Sequence, residues 1–234
     1  MKMKSKKEKD IEARKKHREQ LKKDRRSSLS LERNIPSLIE KPTILIVCEG
    51  ENTEPSYFNK FKLSSATVKP IGEGYNTVSL VNRAIYLSTI KSYDQVWCVF
   101  DKDDFPDNDF NNAITLAKAN NFKLAYSNQA FEYWLILHFI DHQGGGMHRN
   151  DYDKKINTLI KPFNVSFDGK KSKLIEEDFF ELLDGYDAKT GNKRVDLAIS
   201  RAQRNYRTQV HSNPFQVEST TTVFKLVQEI LKYV

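Results

Sequence analysis

"ILIVCEGENTEPSYF", residues 44–58, is the stretch on which the fold turns. Ile44 to Cys48 is an unbroken apolar run, the pattern of a strand covered on both faces. The run ends on an acid, Glu49, and a glycine, Gly50. Thr53 then stands where it can cap a helix beginning "EPSYFNKFK", with Pro55 tolerated in the first turn. Strand, acid, tight turn and helix together make the opening of a βα unit.

The alternation continues outward from there. "TVKPI" reads as a weaker second strand. "NTVSLVNRAIYLSTIKS" has apolar residues at Val78, Val81, Ile85 and Leu87, an amphipathic helix opened by Asn76 or Thr77. "QVWCVF" is a third strand, apolar throughout, and it runs into "DKDD". A helix, "NDFNNAITLAKANN", and a fourth strand, "FKLAYS", follow. Next comes the apolar helix "NQAFEYWLILHFI", with Ser127 and Asn128 as its caps. This spacing predicts an α/β fold, a Rossmann-like parallel sheet flanked by helices and joined by right-handed crossovers, over residues 42–141. "DHQGGGMHRND" breaks the pattern. Helical segments near 151–161, 172–184, 194–208 and 219–233 follow it, so residues 142–234 read as a helical extension packed on the core.

Charge divides the chain differently. The net charge is +7, yet residues 1–26 hold thirteen Lys/Arg against five Asp/Glu, and the rest holds 25 against 26. The excess therefore sits in a basic N-terminal arm, residues 1–41 with its linker. The arm is either a solubility tail or a set of phosphate contacts that raise affinity without reading sequence. Cys48 and Cys98 lie inside apolar runs without metal-type spacing, which fits a reducing compartment. No apolar run reaches about 18 residues, and no apolar segment follows the basic N-terminus, so a cytoplasmic protein without membrane spans is expected.

Ligands of parallel α/β sheets bind beyond the carboxyl ends of the strands, where strand order reverses. Glu49 ends the first strand, and Asp101, Asp103 and Asp104 end the third. If those strands are neighbours, the acids converge. Hard oxygen donors without nearby His or Cys favour Mg2+ or Mn2+ over zinc. A phosphodiester and bare carboxylates repel each other, and a bound cation reverses that sign and can activate water. Glu49 is then a ligand or a general base acting through a water, and Gly50 leaves room beside it for a phosphate.

Glu-Gly after strand one and Asp-x-Asp after strand three resemble the Toprim domain shared by topoisomerases, primases and OLD-type nucleases. More narrowly, "ILIVCEGENTEPSYFNKF", "VWCVFDKDD", "AYSNQAFEYWLILHF" and "NPFQVESTTTVFKLV" together resemble the RloB-like family, from about Thr43 to the C-terminus. The resemblance implies a Toprim-like metal site and a place in bacterial defence loci, often beside an ATPase partner. By position, Glu49 matches the Toprim glutamate and Asp101 and Asp103 the Asp-x-Asp pair. Glu54 is similar to the second acid of OLD-type nucleases but lies one residue further along. It is read either as a metal ligand or as a helix-first-turn glutamate favoured by the dipole.

Three further groups are weighed. Glu132 stands early in the helix after the fourth strand, either as an acid behind the metal ligands or as a dipole-favoured residue. His138, roughly 600° further round that helix, is a second candidate behind the site or a core histidine. Arg201, Arg204 and Arg207 recur at three-residue steps on one helix face, solvated or holding nucleic-acid phosphates. The expected function is a Mg2+-dependent nuclease acting on DNA or structured RNA such as tRNA, the effector of an anti-phage, abortive-infection system. It would work with nucleic acid and an ATPase, and homo-oligomerisation stays open. The alternative is a non-catalytic subunit that binds nucleic acid or the ATPase. Strand passage would need a tyrosine usually supplied by a further domain, and no zinc module suggests a primase.

Overall fold

In the computed structural model, the described residues are 6–27, 41–71, 77–102, 107–143, 145–209 and 213–234. Two compact units emerge, residues 1–40 and 41–234. Within the first lies helix α1 (Lys6–Ser27), whose described side chains are all exposed. It has no apolar stripe, so charge and not burial dominates its surface.

The second unit is built on β1 (Ile44–Cys48), buried at every position. Side chains of a strand alternate between faces, and here both faces are covered. Ile44, Ile46 and Cys48 enter one hydrophobic cluster, Leu45 and Val47 the other. β2 (Ala66–Pro70) and β3 (Gln95–Asp101) flank β1, both parallel to it. β4 (Lys123–Asn128) pairs parallel with β3, and a two-residue β5 (Thr220–Thr221) pairs antiparallel with β4. Among the described residues the order is β2-β1-β3-β4-β5, so strand order reverses between β1 and β3. Pro70, which cannot donate to a ladder, sits on the edge strand β2.

Helices α3 (Thr77–Ile90) and α4 (Asp107–Ala119) cover one face, with Leu80, Val81, Ala84, Phe110 and Ala113 in its cluster. The other face carries α2 (Thr53–Lys60), α5 (Glu132–Ile136), α6 (Arg149–Ile160), α7 (Glu177–Asp184), α8 (Arg194–Gln209) and α9 (Val223–Ile230). Tyr57 and Phe58 of α2 and Phe61 just after it meet Phe131 and Phe180 edge to face, with centroids 5.2 to 5.9 Å apart. This is the favoured arrangement for aromatic quadrupoles. The helices after residue 142 thus share one core with the strands. Cys48 and Cys98 are free, buried, and on opposite faces of the sheet. Burial pushes the Cys98 thiol up to about 12.

Three local expectations are corrected. Thr53 is the first residue of α2 and Asn52 its N-cap. Ser127 and Asn128 are the buried last residues of β4, where they pair with Thr221 and Thr220. The apolar segment "NQAFEYWLILHFI" yields only the five-residue α5 followed by turns. The expected opener Asn76 lies outside the described residues. Among those residues no helix is long and apolar enough to cross a membrane.

Candidate carboxylate site

The reversal of strand order puts Glu49 and Asp101 side by side. Glu49 follows β1 directly, and its N–H donates to Val99 O of β3 at 2.9 Å. Its Oε2 accepts the N–H of Asp101, the last residue of β3, at 3.1 Å. Asp101 Oδ2 in turn accepts the Phe131 N–H at 3.0 Å, just before α5. Each acid is thus oriented through one oxygen by a backbone donor, a charge-assisted bond stronger than its neutral counterpart. Both residues are half-buried.

Glu54 completes the strand end. It is buried, at 5% exposure, in the first turn of α2. Its carboxylate turns back over Gly50, so a Cβ there would collide with it and meet Cδ at 3.0 Å. The space that the sequence reading kept for a phosphate therefore holds Glu54, and the glycine serves close approach. Burial raises the Cys48 thiol well above its ordinary range, and the nearby Glu54, Cys98 and Asp101 charges add to the effect. Glu54 and Asp101 consequently act on the same strand end. Gly50→Ala should cost about 1–3 kcal/mol, the usual penalty of overpacking. Glu54→Ala in that background should recover most of it, as read by urea unfolding. A Gly50→Ala chain as stable as wild type would mean that the Glu54 carboxylate swings clear of the new methyl group without cost.

Glu132, at the start of α5, is half-buried. A residue marked by no sequence motif lies close to it: Tyr152 of α6, 1% exposed. Burial first, then the Asp101 and Glu132 charges, raise its phenol to about 12 against the lowering effect of the Gln129 backbone. Tyr152 comes from a helix some fifty residues beyond β3. Only the packing of α6 on α5 brings it here, and no local motif signals that.

His138 is placed in the core. Its Nδ1 lies 3.0 Å from Trp134 O, and its ring packs edge-on to Trp134 and Tyr57. Burial lowers its pKa to about 3, and the charges of Arg201 and Arg194 act in the same direction. Arg201 donates from Nη1 to Leu137 O at 2.7 Å, and Arg204 makes a two-pronged pair with Asp141. Both therefore have partners within the chain, where they strap the turn after α5. Arg207 is exposed. Of the loop histidines, His148 caps α6, its ring nitrogen accepting the Asn150 N–H.

Asp103 and Asp104 lie outside the described residues. The donors at the strand ends, Glu49, Asp101 and Glu54, are hard oxygens throughout, the set that suits Mg2+ or Mn2+. Among the described residues no three His, Cys, Asp or Glu side chains converge as a ready metal cage.

A doubly wound α/β sheet with paired acids at its switch point defines the class of this protein. The chain belongs to the RloB-like protein family, which it matches over residues 44–230. Comparison with curated proteins and with solved structures gives no match.

Proposed function

We propose that this RloB-like chain is a Mg2+-dependent nuclease of Toprim type that cleaves phosphodiesters in DNA or a structured RNA such as tRNA. One observation carries the reading: the Asp101 N–H bonds Glu49 Oε2 at 3.1 Å across the β1–β3 switch point. A binding module gains little by holding two acids at the ends of adjacent strands, where α/β sheets bind ligands. Glu49 and Asp101 would hold the metal, with Glu54, Asp103 and Asp104 as the remaining candidates. Bound magnesium supplies Lewis-acid polarisation of the phosphoryl oxygen and a more acidic water. Glu49, one oxygen of which accepts the Asp101 N–H, would act as the general base toward an attacking water. Mn2+ would serve the same donors. The family resemblance adds the setting, an effector of anti-phage defence working beside a partner ATPase.

The test is cleavage of end-labelled DNA and tRNA by the purified chain, with Mg2+ and with EDTA. Cleavage that persists in EDTA overturns the metal reading. If oligonucleotide binding is seen but no cleavage, with or without the ATPase, the non-catalytic alternative holds.

The arm carries a separate expectation. Residues 14–26 of α1 hold eight Lys/Arg against two acids, and the described side chains there are exposed. Deleting residues 1–26 should weaken nucleic-acid binding and flatten its salt dependence, because each phosphate neutralised contributes roughly 0.7–0.9 to the slope. Unchanged affinity at low salt would reassign the arm to a protein partner.

A further inference from the structure

We propose that a second site, a cleft of about 1170 Å³ bounded by α4, β4, α8 and α9, is a binding track for single-stranded nucleic acid. The cleft lies away from the β1 strand end. Its walls carry Lys118, Lys123, Lys225 and Lys232, against Asp196 and Glu229. Glu229 is already engaged, accepting from Lys232 Nζ at 2.6 Å and Gln95 Nε2 at 2.7 Å. The balance facing a ligand is therefore positive, although residues 27–234 together are near neutral.

Two of the lysines are presented by aromatic rings. Lys225 Nζ sits 4.0 Å above the Tyr206 ring and Lys123 Nζ 5.3 Å from the Trp97 ring. Cation–π contact restrains an ammonium without neutralising it, so less side-chain entropy is lost when a phosphate arrives. Half-buried Phe122 and Tyr206 also line the cleft. Interleaved cations and rings are the chemistry of single-strand tracks, where bases stack while lysines follow the backbone. A duplex hides its base faces and cannot use them. The volume slightly exceeds that of small-molecule pockets, about 300–1,000 Å³, which suits a few nucleotides better than a metabolite. Arg207, unassigned by the carboxylate site, shares the helical face of the cleft-lining Ser200 and Gln203.

Direction comes from the sheet. Thr220 and Thr222 line the cleft, and Thr220 pairs with Asn128 at the end of β4. Ser127, the preceding residue, is in register with Asp101. A strand lying along β4 is thus led toward the paired acids. This last step rests on the nuclease reading, whereas binding in the cleft does not.

The experiment uses the full chain in EDTA and fluorescein-labelled oligo-dT and oligo-U of roughly 12 nucleotides, with anisotropy read across a salt series. Lys118→Ala/Lys225→Ala should weaken binding roughly tenfold and make the log–log salt slope shallower by about 1.4, two single-strand phosphate contacts. Gln228→Lys, an added charge at an exposed cleft position, should tighten binding and steepen the slope by about 0.7. A misfolded protein would not produce that gain. Unchanged affinity and slope in both variants overturns the proposal. So does displacement of the oligonucleotide by an equimolar acidic peptide, which would make the cleft a protein-docking site. If these shifts appear while Mg2+ supports no cleavage, with or without the ATPase, the cleft stands and the nuclease reading fails. Normal binding by both variants beside active cleavage gives the reverse.

Discussion

Asp101→Asn and Glu49→Gln are each expected to lower Mg2+-dependent cleavage roughly 10²–10⁴-fold, the range for losing a positioned acid–base group, while the protein stays folded. The fold should survive because both substitutions keep the oxygen that the backbone uses. Asparagine can still accept the Phe131 N–H, and glutamine the Asp101 N–H, at the observed 3.0 and 3.1 Å. What is lost is charge, and with it the attraction for a divalent cation and the basicity needed to take a proton from water. Unfolding midpoints in urea should move little. Full cleavage by both variants would show that the strand-end acids are not the site. Loss of cleavage together with loss of structure would be separated by Asp101→Ala, which abandons the Phe131 N–H as well and should melt lower than Asp101→Asn.

The sequence made some of this legible for a simple reason. A strand buried on both faces must be apolar at every position, so "ILIVC" and "VWCVF" could hardly be read otherwise. An acid immediately after each then had to lie near the other once the strands were neighbours. Glu54 was harder, since a first-turn glutamate is ordinary, and only the close approach over Gly50 decides where its carboxylate goes. β5 is two residues long, and its Thr-Thr pair carries no strand period, so it fell within the helical segment expected near 219–233. Its pairing with Ser127 and Asn128 keeps those two residues in β4, so neither caps the helix expected there. Arg201 and Arg204 share spacing with Arg207, yet periodicity cannot tell a side chain that meets Leu137 O or Asp141 from one that meets solvent. Tyr152 and the cleft lysines come from elements far apart in sequence, brought together by packing alone.

The core histidine leads to the second large effect, on stability as a function of pH. Buried between Trp134 and Tyr57, His138 stays neutral in the folded chain down to about pH 3, whereas an unfolded histidine titrates near 6.5. Above about pH 6.5 both states hold it neutral and it contributes no pH dependence. Below that, the unfolded chain binds a proton that the folded chain refuses, so stability falls as pH drops, by about 2 kcal/mol at pH 5. The loss continues until the folded pKa is reached, where it totals roughly 5 kcal/mol. The cause is mainly desolvation of an imidazolium in an aromatic core, with the Arg201 and Arg194 charges opposing protonation further. His138→Phe keeps a ring between Trp134 and Tyr57 and removes the proton site. It is expected to be less stable at pH 7.5, where the contact to Trp134 O is lost, and less sensitive to acid. The measurement is the urea unfolding free energy of both chains at pH 7.5 and pH 5. Wild type should lose about 2 kcal/mol more than His138→Phe over that interval, because other titrating groups cancel in the comparison. Equal losses would mean that His138 accepts its proton in the folded state, which would place its ring in contact with water or with an acid and return it to the candidates behind the site.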